Sequence, residues 1–403
     1  MEKKNQFYFR MDQEAKDKKD AFLGGKMTIY LLSGGIESLN RDSMTTSSAK
    51  YEFDLANHLI KYSKVYILST KMQYGEIQSL STLQLMGIRK GKNRFYGIKK
   101  ILKTSKEKSV LIFWGYDLKK VLYMRSVKRN FSQVKILPFI FDSHKIAISK
   151  FSKIKKILAD LYFELGRFFV RKFDGYIFFQ EKAVSRLKIK KKPCFITKPG
   201  VSISRDDMVE AHVCNQKTDY LVTFCGSLTY LNGIDLLIDS LNNFEGTNFR
   251  FVVCGKGPLL PSVLYATKKY KNIEYLGVLP DKAISELYRK SSIILNLRRL
   301  EDEAMDFAFP SKFFEIVSTG KPIITTKIIN DLELIDYIYL LEPMTSAELT
   351  NVLNGIISSY SKALDRAAMA KKIVLEKYNY DDLSYSLYRF LNREIFKDVK
   401  IKK

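Results

Sequence analysis

Short, continuous apolar runs alternate with segments of helical period along nearly the whole chain. In the first half the runs are Ile29–Leu32, Val65–Leu68, Val110–Gly115, Val134–Phe141, Gly175–Phe179 and Cys194–Thr197. In the second half they are Tyr220–Gly226, Phe249–Gly255, Asn272–Gly277, Ile293–Leu297 and Pro322–Thr326. Largely apolar runs of this length, ending in glycine or polar loops, predict buried strands, as in parallel sheets. Between them, helical spacing predicts helices over 51–62 and 233–239 and a short one ending near Tyr288. The alternation implies two α/β domains, and 403 residues exceed what one core usually organises. Residues 1–26 are charged and patternless and read as a disordered or loosely docked extension. The first domain then spans 27–204, a polar linker 205–218, and the second domain 219–377. Residues 378–403 form an amphipathic helix with a basic tail.

The four cysteines, Cys194, Cys214, Cys225 and Cys254, have neither paired nor metal-ligand spacing and read as reduced, buried thiols. No apolar run reaches eighteen residues and no leader pattern is present, so the expected setting is cytoplasmic. Charge changes that picture. The net charge is +25, and between Ser143 and Lys198 fifteen Lys or Arg stand against four Asp or Glu. Within that region Ile154, Ile157, Leu158, Leu161, Leu165, Phe168 and Phe169 share one face of a basic helix over 152–170. Two readings stay open: the face packs on its own sheet, or it lies in an anionic membrane surface. The basic surface as a whole favours peripheral contact with the inner face of the cell membrane. Nucleic acid is not an expected partner, because no recognition module or groove of stacking aromatics accompanies the charge.

The densest chemistry lies in Asp306–Glu315 and the residues after it. Pro310 suits the first turn of a helix, Ser311 caps or lines that turn, and Lys312 adds a cation where free N–H groups already favour an anion. Glu315 projects one turn further. A helix start that holds a diphosphate, with a carboxylate to accept sugar hydroxyl protons, makes a nucleotide-sugar site.

With the glycine turns Gly226-Ser227 and Gly255-Lys256-Gly257, the order and spacing of 219–385 resemble the donor-binding domain of family-4-type glycosyltransferases. The resemblance is weaker over 27–205. It implies a GT-B architecture, with two Rossmann-like doubly wound domains facing across a cleft and the last helix crossing back to the first domain. It also implies a retaining, metal-independent transfer from a nucleotide sugar, without a cofactor. The implied donor residues are Gly226, Ser227, Gly255, Gly257, Arg298, Phe309, Pro310, Ser311, Lys312 and Glu315. Glu315 matches the second of two family glutamates, which holds the ribose. The first position is Phe307, with Asp306 beside it as the nearest carboxylate and a candidate contact to the donor sugar. The loop Gly226–Gly233 lacks the usual cations, so either Arg298, Arg299 and Lys312 replace that charge or the domain binds its nucleotide weakly.

On the acceptor side the candidates are Gly34, Gly35 and Arg41 in the polar loop after the first strand, although a solvated loop fits as well. Asp142 and His144 follow a strand end, where His144 is a candidate to bind or polarise an acceptor hydroxyl. The implied acceptor is a glycan on a polyprenyl diphosphate lipid, in capsule or exopolysaccharide biosynthesis. The alternatives are a catalytically degenerate GT-B scaffold or a sugar-nucleotide epimerase of the same fold.

Overall fold

The computed structural model describes residues 8–10, 27–44, 46–90, 95–105, 107–141, 152–201, 219–299, 306–307, 312–326 and 332–397. The chain forms two compact units. Unit 1 comprises Met1–Gly200, Asp302–Phe309 and Tyr380–Lys403; unit 2 comprises Val201–Glu301 and Pro310–Asn379.

Unit 1 runs β1 (Tyr8–Arg10), β2 (Thr28–Ser33), α1 (Ser47–Leu59), β3 (Lys64–Ser69), β4 (Ile77–Leu80), β5 (Leu83–Gly87), β6 (Arg89–Lys90), β7 (Phe95–Tyr96), α2 (Ile98–Thr104) and β8 (Ser109–Trp114). It continues with α3 (Leu118–Asn130), β9 (Val134–Ile140), α4 (Lys153–Val170), β10 (Tyr176–Phe178), α5 (Glu181–Arg186) and β11 (Cys194–Ile196). Nine strands make one sheet in the order β1-β11-β10-β9-β8-β2-β3-β5-β4. All its pairings are parallel except β4 with β5. Every residue of β2 and β8 is buried, which is why those strands read as unbroken apolar runs. Thr46 and Asp117 start α1 and α3 by accepting from the N–H groups of Ala49 and Lys120.

Three features depart from the expected pattern. Tyr8–Arg10, inside the supposedly patternless extension, forms an edge strand paired with Cys194–Ile196; aromatic residues favour such a position. The β4–β5 hairpin was not anticipated, because Ile77 and Leu80 are exposed and only alternate residues of β5 are buried. The apolar face of α4 does not pack on its own sheet: the helix is held through Gly166 and Val170, while six large apolar side chains stay exposed. A Cβ on Gly166 would lie 2.2 Å from the carbonyl oxygen of Tyr116, so glycine permits the close approach that leaves the other face outward.

Unit 2 runs β12 (Tyr220–Cys225), α6 (Ile234–Ser240), β13 (Phe249–Cys254), α7 (Leu260–Lys269), β14 (Ile273–Tyr275), α8 (Asp281–Lys290) and β15 (Ile293–Asn296). Then come α9 (Lys312–Val317), β16 (Ile323–Thr325), α10 (Leu332–Ile335), β17 (Tyr339–Leu340), α11 (Ser346–Ser358) and α12 (Tyr360–Lys377). The six strands are parallel in the order β14-β13-β12-β15-β16-β17. Strand order reverses between β12 and β15, the switch point where doubly wound sheets bind ligands off their carboxyl ends. A core of Val222, Phe249, Phe251, Ile293, Leu353 and neighbours fills the space between sheet and helices.

The last helix, α13 (Tyr380–Phe390), belongs to unit 1. It packs on α1, with the His58 ring stacked on Tyr380, Tyr62 on Tyr388, and Lys61 paired with Asp381.

Candidate functional site

At the switch point of unit 2 the loops after β12 and β13 are laced together by main-chain hydrogen bonds. The N–H of Gly226 donates to the Cys254 carbonyl at 3.0 Å, that of Leu228 to Lys256 at 3.0 Å, and that of Gly255 to Gly277 at 2.7 Å. The glycines serve this lacing. Gly255 has φ of +130°, and a Cβ there would lie 1.8 Å from the Gly226 carbonyl oxygen; one on Gly257 would lie 2.4 Å from that of Leu228. Gly226 has room around its Cα, and Ser227 gives its carbonyl to the Asn232 amide.

α9 presents the charged residues. Phe313, Phe314, Ile316 and Val317 are buried, and Phe314 stacks on Tyr378 at 4.2 Å. That anchors one face and leaves Lys312 half-buried and Glu315 exposed, three residues apart and so on a shared face. The two charges act on the strand ends. Burial raises the pKa of the Tyr288 hydroxyl and the Glu315 carboxylate adds to the rise; burial likewise raises the Cys225 thiol, a rise that the Lys312 ammonium opposes only in small part, while it adds to the lowering of Cys254. Cys225 and Cys254 are register partners on β12 and β13. Their mutual hydrogen bond raises Cys225 and lowers Cys254. Tyr288 and the cysteine pair therefore join Lys312 and Glu315 at the carboxyl end of the sheet, an association that spacing along the chain did not reveal.

The arginines divide. Arg299 is buried and its charge is already consumed: Nη1 and Nη2 donate to the two carboxylate oxygens of Asp235 at 2.8 and 2.5 Å, and the guanidinium lies 3.5 Å from the Tyr230 ring centroid. It is not available to replace a missing diphosphate cation. Arg298 follows β15, with its carbonyl accepting from the Thr326 hydroxyl at 2.5 Å. Phe309, Pro310 and Ser311 lie outside the described residues, as do Asp142 and His144.

Asp306 and Phe307 belong to unit 1. Phe307 is buried in its core beside Tyr116, at 6.2 Å between ring centroids, so the position of the first family glutamate is used for packing. Asp306 accepts from Nε of Arg186 at 2.7 Å, with the Lys182 ammonium at 3.7 Å; these three and Ser185 line a cavity of about 400 Å³. Gly34 and Gly35 follow β2, where the N–H of Gly35 donates to the Ser33 hydroxyl. Arg41 is committed to Asp54, with Nε 2.8 and 3.0 Å from its oxygens. The sequence reading also missed Glu52. It is buried on α1 beside Ser33, with Oε2 lacking a hydrogen-bond partner, and burial pushes its pKa up to about 8 against the Ser33 hydroxyl and Lys120.

No curated protein sequence matches the chain. Residues 219–358, a third of it, match the model of the family Glycosyl transferases group 1. Solved structures match over nearly the whole length. Sucrose-phosphate synthase from Thermosynechococcus elongatus covers 92% of this chain and 100% of its own, at TM-score 0.65 and 11% identity. The UDP-forming α,α-trehalose-phosphate synthase from Burkholderia vietnamiensis covers 93% and 99%, at 0.68 and 10%. Anabaena HepE in complex with UDP-glucose covers 91% and 99%, at 0.60 and 13%. The fold is therefore GT-B, its second unit carries the group 1 glycosyltransferase match, and together these support a glycosyltransferase.

Proposed function

We propose that the protein transfers a sugar, of hexose type, from a nucleoside diphosphate donor held by unit 2, without a metal and with retention of configuration. The observation that carries this reading is the shared face of half-buried Lys312 and exposed Glu315 on α9, with the laced glycine loops of the same unit, inside the segment that matches the glycosyltransferase family. Departure of the nucleoside diphosphate places negative charge on phosphate oxygens. Lys312 and main-chain N–H groups at the start of α9 stabilise that charge, and Glu315 accepts hydrogen bonds from the ribose. The UDP-glucose bound by HepE and the UDP-2-fluoro glucose bound in a matched trehalose-6-phosphate structure from E. coli make UDP-sugars the first to try. In unit 1 the proposed participants are the loop after β2, His144 and Asp142, and Asp306, which accepts a hydrogen bond from Arg186. The acceptor is proposed to be a glycan on a polyprenyl diphosphate lipid in surface-polysaccharide assembly, which places the protein at the inner membrane face.

The test is release of nucleoside diphosphate from a panel of nucleotide sugars, with and without EDTA, in wild type and Lys312→Ala. One donor is expected to be turned over at an EDTA-insensitive rate. Losing one charged hydrogen bond to the diphosphate should weaken donor binding by about 1–3 kcal/mol in the variant. Unchanged affinity and turnover in Lys312→Ala would remove the site assignment. A second reading, a degenerate GT-B scaffold, draws on the consumption of Arg299 by Asp235 and the burial of Phe307. Absence of donor binding with intact folding would favour it.

A further inference from the structure

The outward face of α4 is given no task in the transfer proposed above, and it carries six of the large apolar side chains left exposed among the described residues. Ile154 is 75% exposed, Ile157 68%, Leu158 62%, Leu161 59%, Leu165 42% and Phe168 56%. At about 3.6 residues per turn these six fall within an arc of roughly 100°, one unbroken stripe along a helix about 27 Å long. The opposite side faces the domain through Gly166 and Val170, with Phe163 and Phe169 packed against the unit 1 core. A stripe of this kind normally becomes core; left in water it marks a contact surface.

We propose that α4 docks in the plane of an anionic lipid bilayer, its apolar stripe among the acyl chains and its lysines at the headgroups. The proposal gives the membrane-proximal part of the function proposed above a specific surface. Charge selects the occupant. Lys153 and Lys155 project on the two flanks of the stripe, and both are exposed, as are Lys156 at the same end and Lys172 just beyond the other. Long cationic side chains flanking an apolar stripe extend their stems along it and leave their ammonium groups at phosphate level. The acidic Glu164 is paired with Arg167 at 2.9 Å, so it does not oppose an anionic surface. Arg125 and Arg171 lie over the Phe169 and Phe168 rings, at 4.9 and 5.9 Å, adding cations beside the apolar residues at the C-terminal end. No described helix is long and apolar enough to cross a membrane, and α4, with its lysines, has the composition of a helix that lies on one.

The test is flotation of the full chain with vesicles of phosphatidylcholine alone and of phosphatidylcholine containing phosphatidylglycerol. Wild type should float with the anionic vesicles and much less with the neutral ones. Ile157→Asp/Leu161→Asp should reduce the bound fraction about tenfold, and Lys153→Glu/Lys155→Glu/Lys156→Glu should abolish the preference for anionic lipid. Failure of wild type to float, or equal flotation of the Ile157→Asp/Leu161→Asp variant, overturns the inference. So does a wild-type dimer in sedimentation that this variant dissociates, because a second copy would then own the stripe. Nucleotide titration of the same preparations separates the two readings: nucleotide binding without flotation sinks the docking surface alone. Flotation without nucleotide binding sustains the docking surface and sinks the donor site alone.

Discussion

Asp235→Ala is expected to destabilise unit 2 by about 3 kcal/mol or more. The Asp235 carboxylate receives both terminal nitrogens of Arg299, whose side chain is only 9% exposed. Removing it leaves a guanidinium held under the Tyr230 ring and hydrogen-bonded to the Tyr230 carbonyl, with no counter-charge. A buried charge without its partner costs far more than the intact pair contributes, because the desolvation of the ion is no longer offset. Urea denaturation followed by fluorescence measures the loss. Asp235→Asn keeps the shape and one acceptor and should cost less than the alanine. A loss below about 1 kcal/mol for the alanine variant would mean that the pair behaves as an exposed one. The pair also has a functional corollary: Arg299 anchors the loop after β15 to α6, so it positions that loop and supplies no charge to a diphosphate.

The second large effect concerns pH. Burial disfavours the charged form of Glu52 and pushes its pKa up to about 8 in the folded chain, from about 4.5 for the free side chain. Between those values the folded state binds more protons at this carboxyl than the unfolded state, so the contribution of Glu52 to stability is fully present below about pH 4.5 and is lost as pH rises towards 8. The slope approaches about 1.4 kcal/mol per unit and flattens above 8. Glu52→Gln has the same shape and does not titrate. The difference in melting temperature, variant minus wild type, should therefore grow steadily from pH 5 to 8. Parallel melting curves for the two proteins would contradict this placement of the carboxyl.

The parts of the fold that were legible from sequence share a physical cause. Strands such as Val110–Trp114, buried at every residue, and Phe249–Cys254, buried at all but Arg250, keep nearly continuous apolar runs and are hard to mistake. The β4–β5 hairpin lies at the sheet edge, where Ile77 and Leu80 face solvent and the pattern fades. The membership of Asp306 and Phe307 in unit 1 was not legible either, because it depends on Phe307 finding Tyr116 nearly two hundred residues earlier in the chain. For the site, the spacing of Lys312 and Glu315 was informative because two buried phenylalanines between them fix the face they share. Arg299 and Arg41 looked like free cations in the sequence. Their partners Asp235 and Asp54 lie 64 and 13 residues away, and only folding brings those charges together. The α4 stripe was visible as a periodicity. Whether it turned inward depended on Gly166, whose close approach to Tyr116 sets the side from which the helix is held.

The measurement that bears most directly on the central claim is calorimetric titration of the purified protein with UDP, GDP, dTDP, ADP and CMP, repeated on Glu315→Ala. Saturable binding of one nucleotide is expected, weakened about 5- to 150-fold by the substitution, the equivalent of about 1–3 kcal/mol for a lost charged hydrogen bond. No binding by any of the five, or equal binding by wild type and Glu315→Ala, would contradict a donor site on α9.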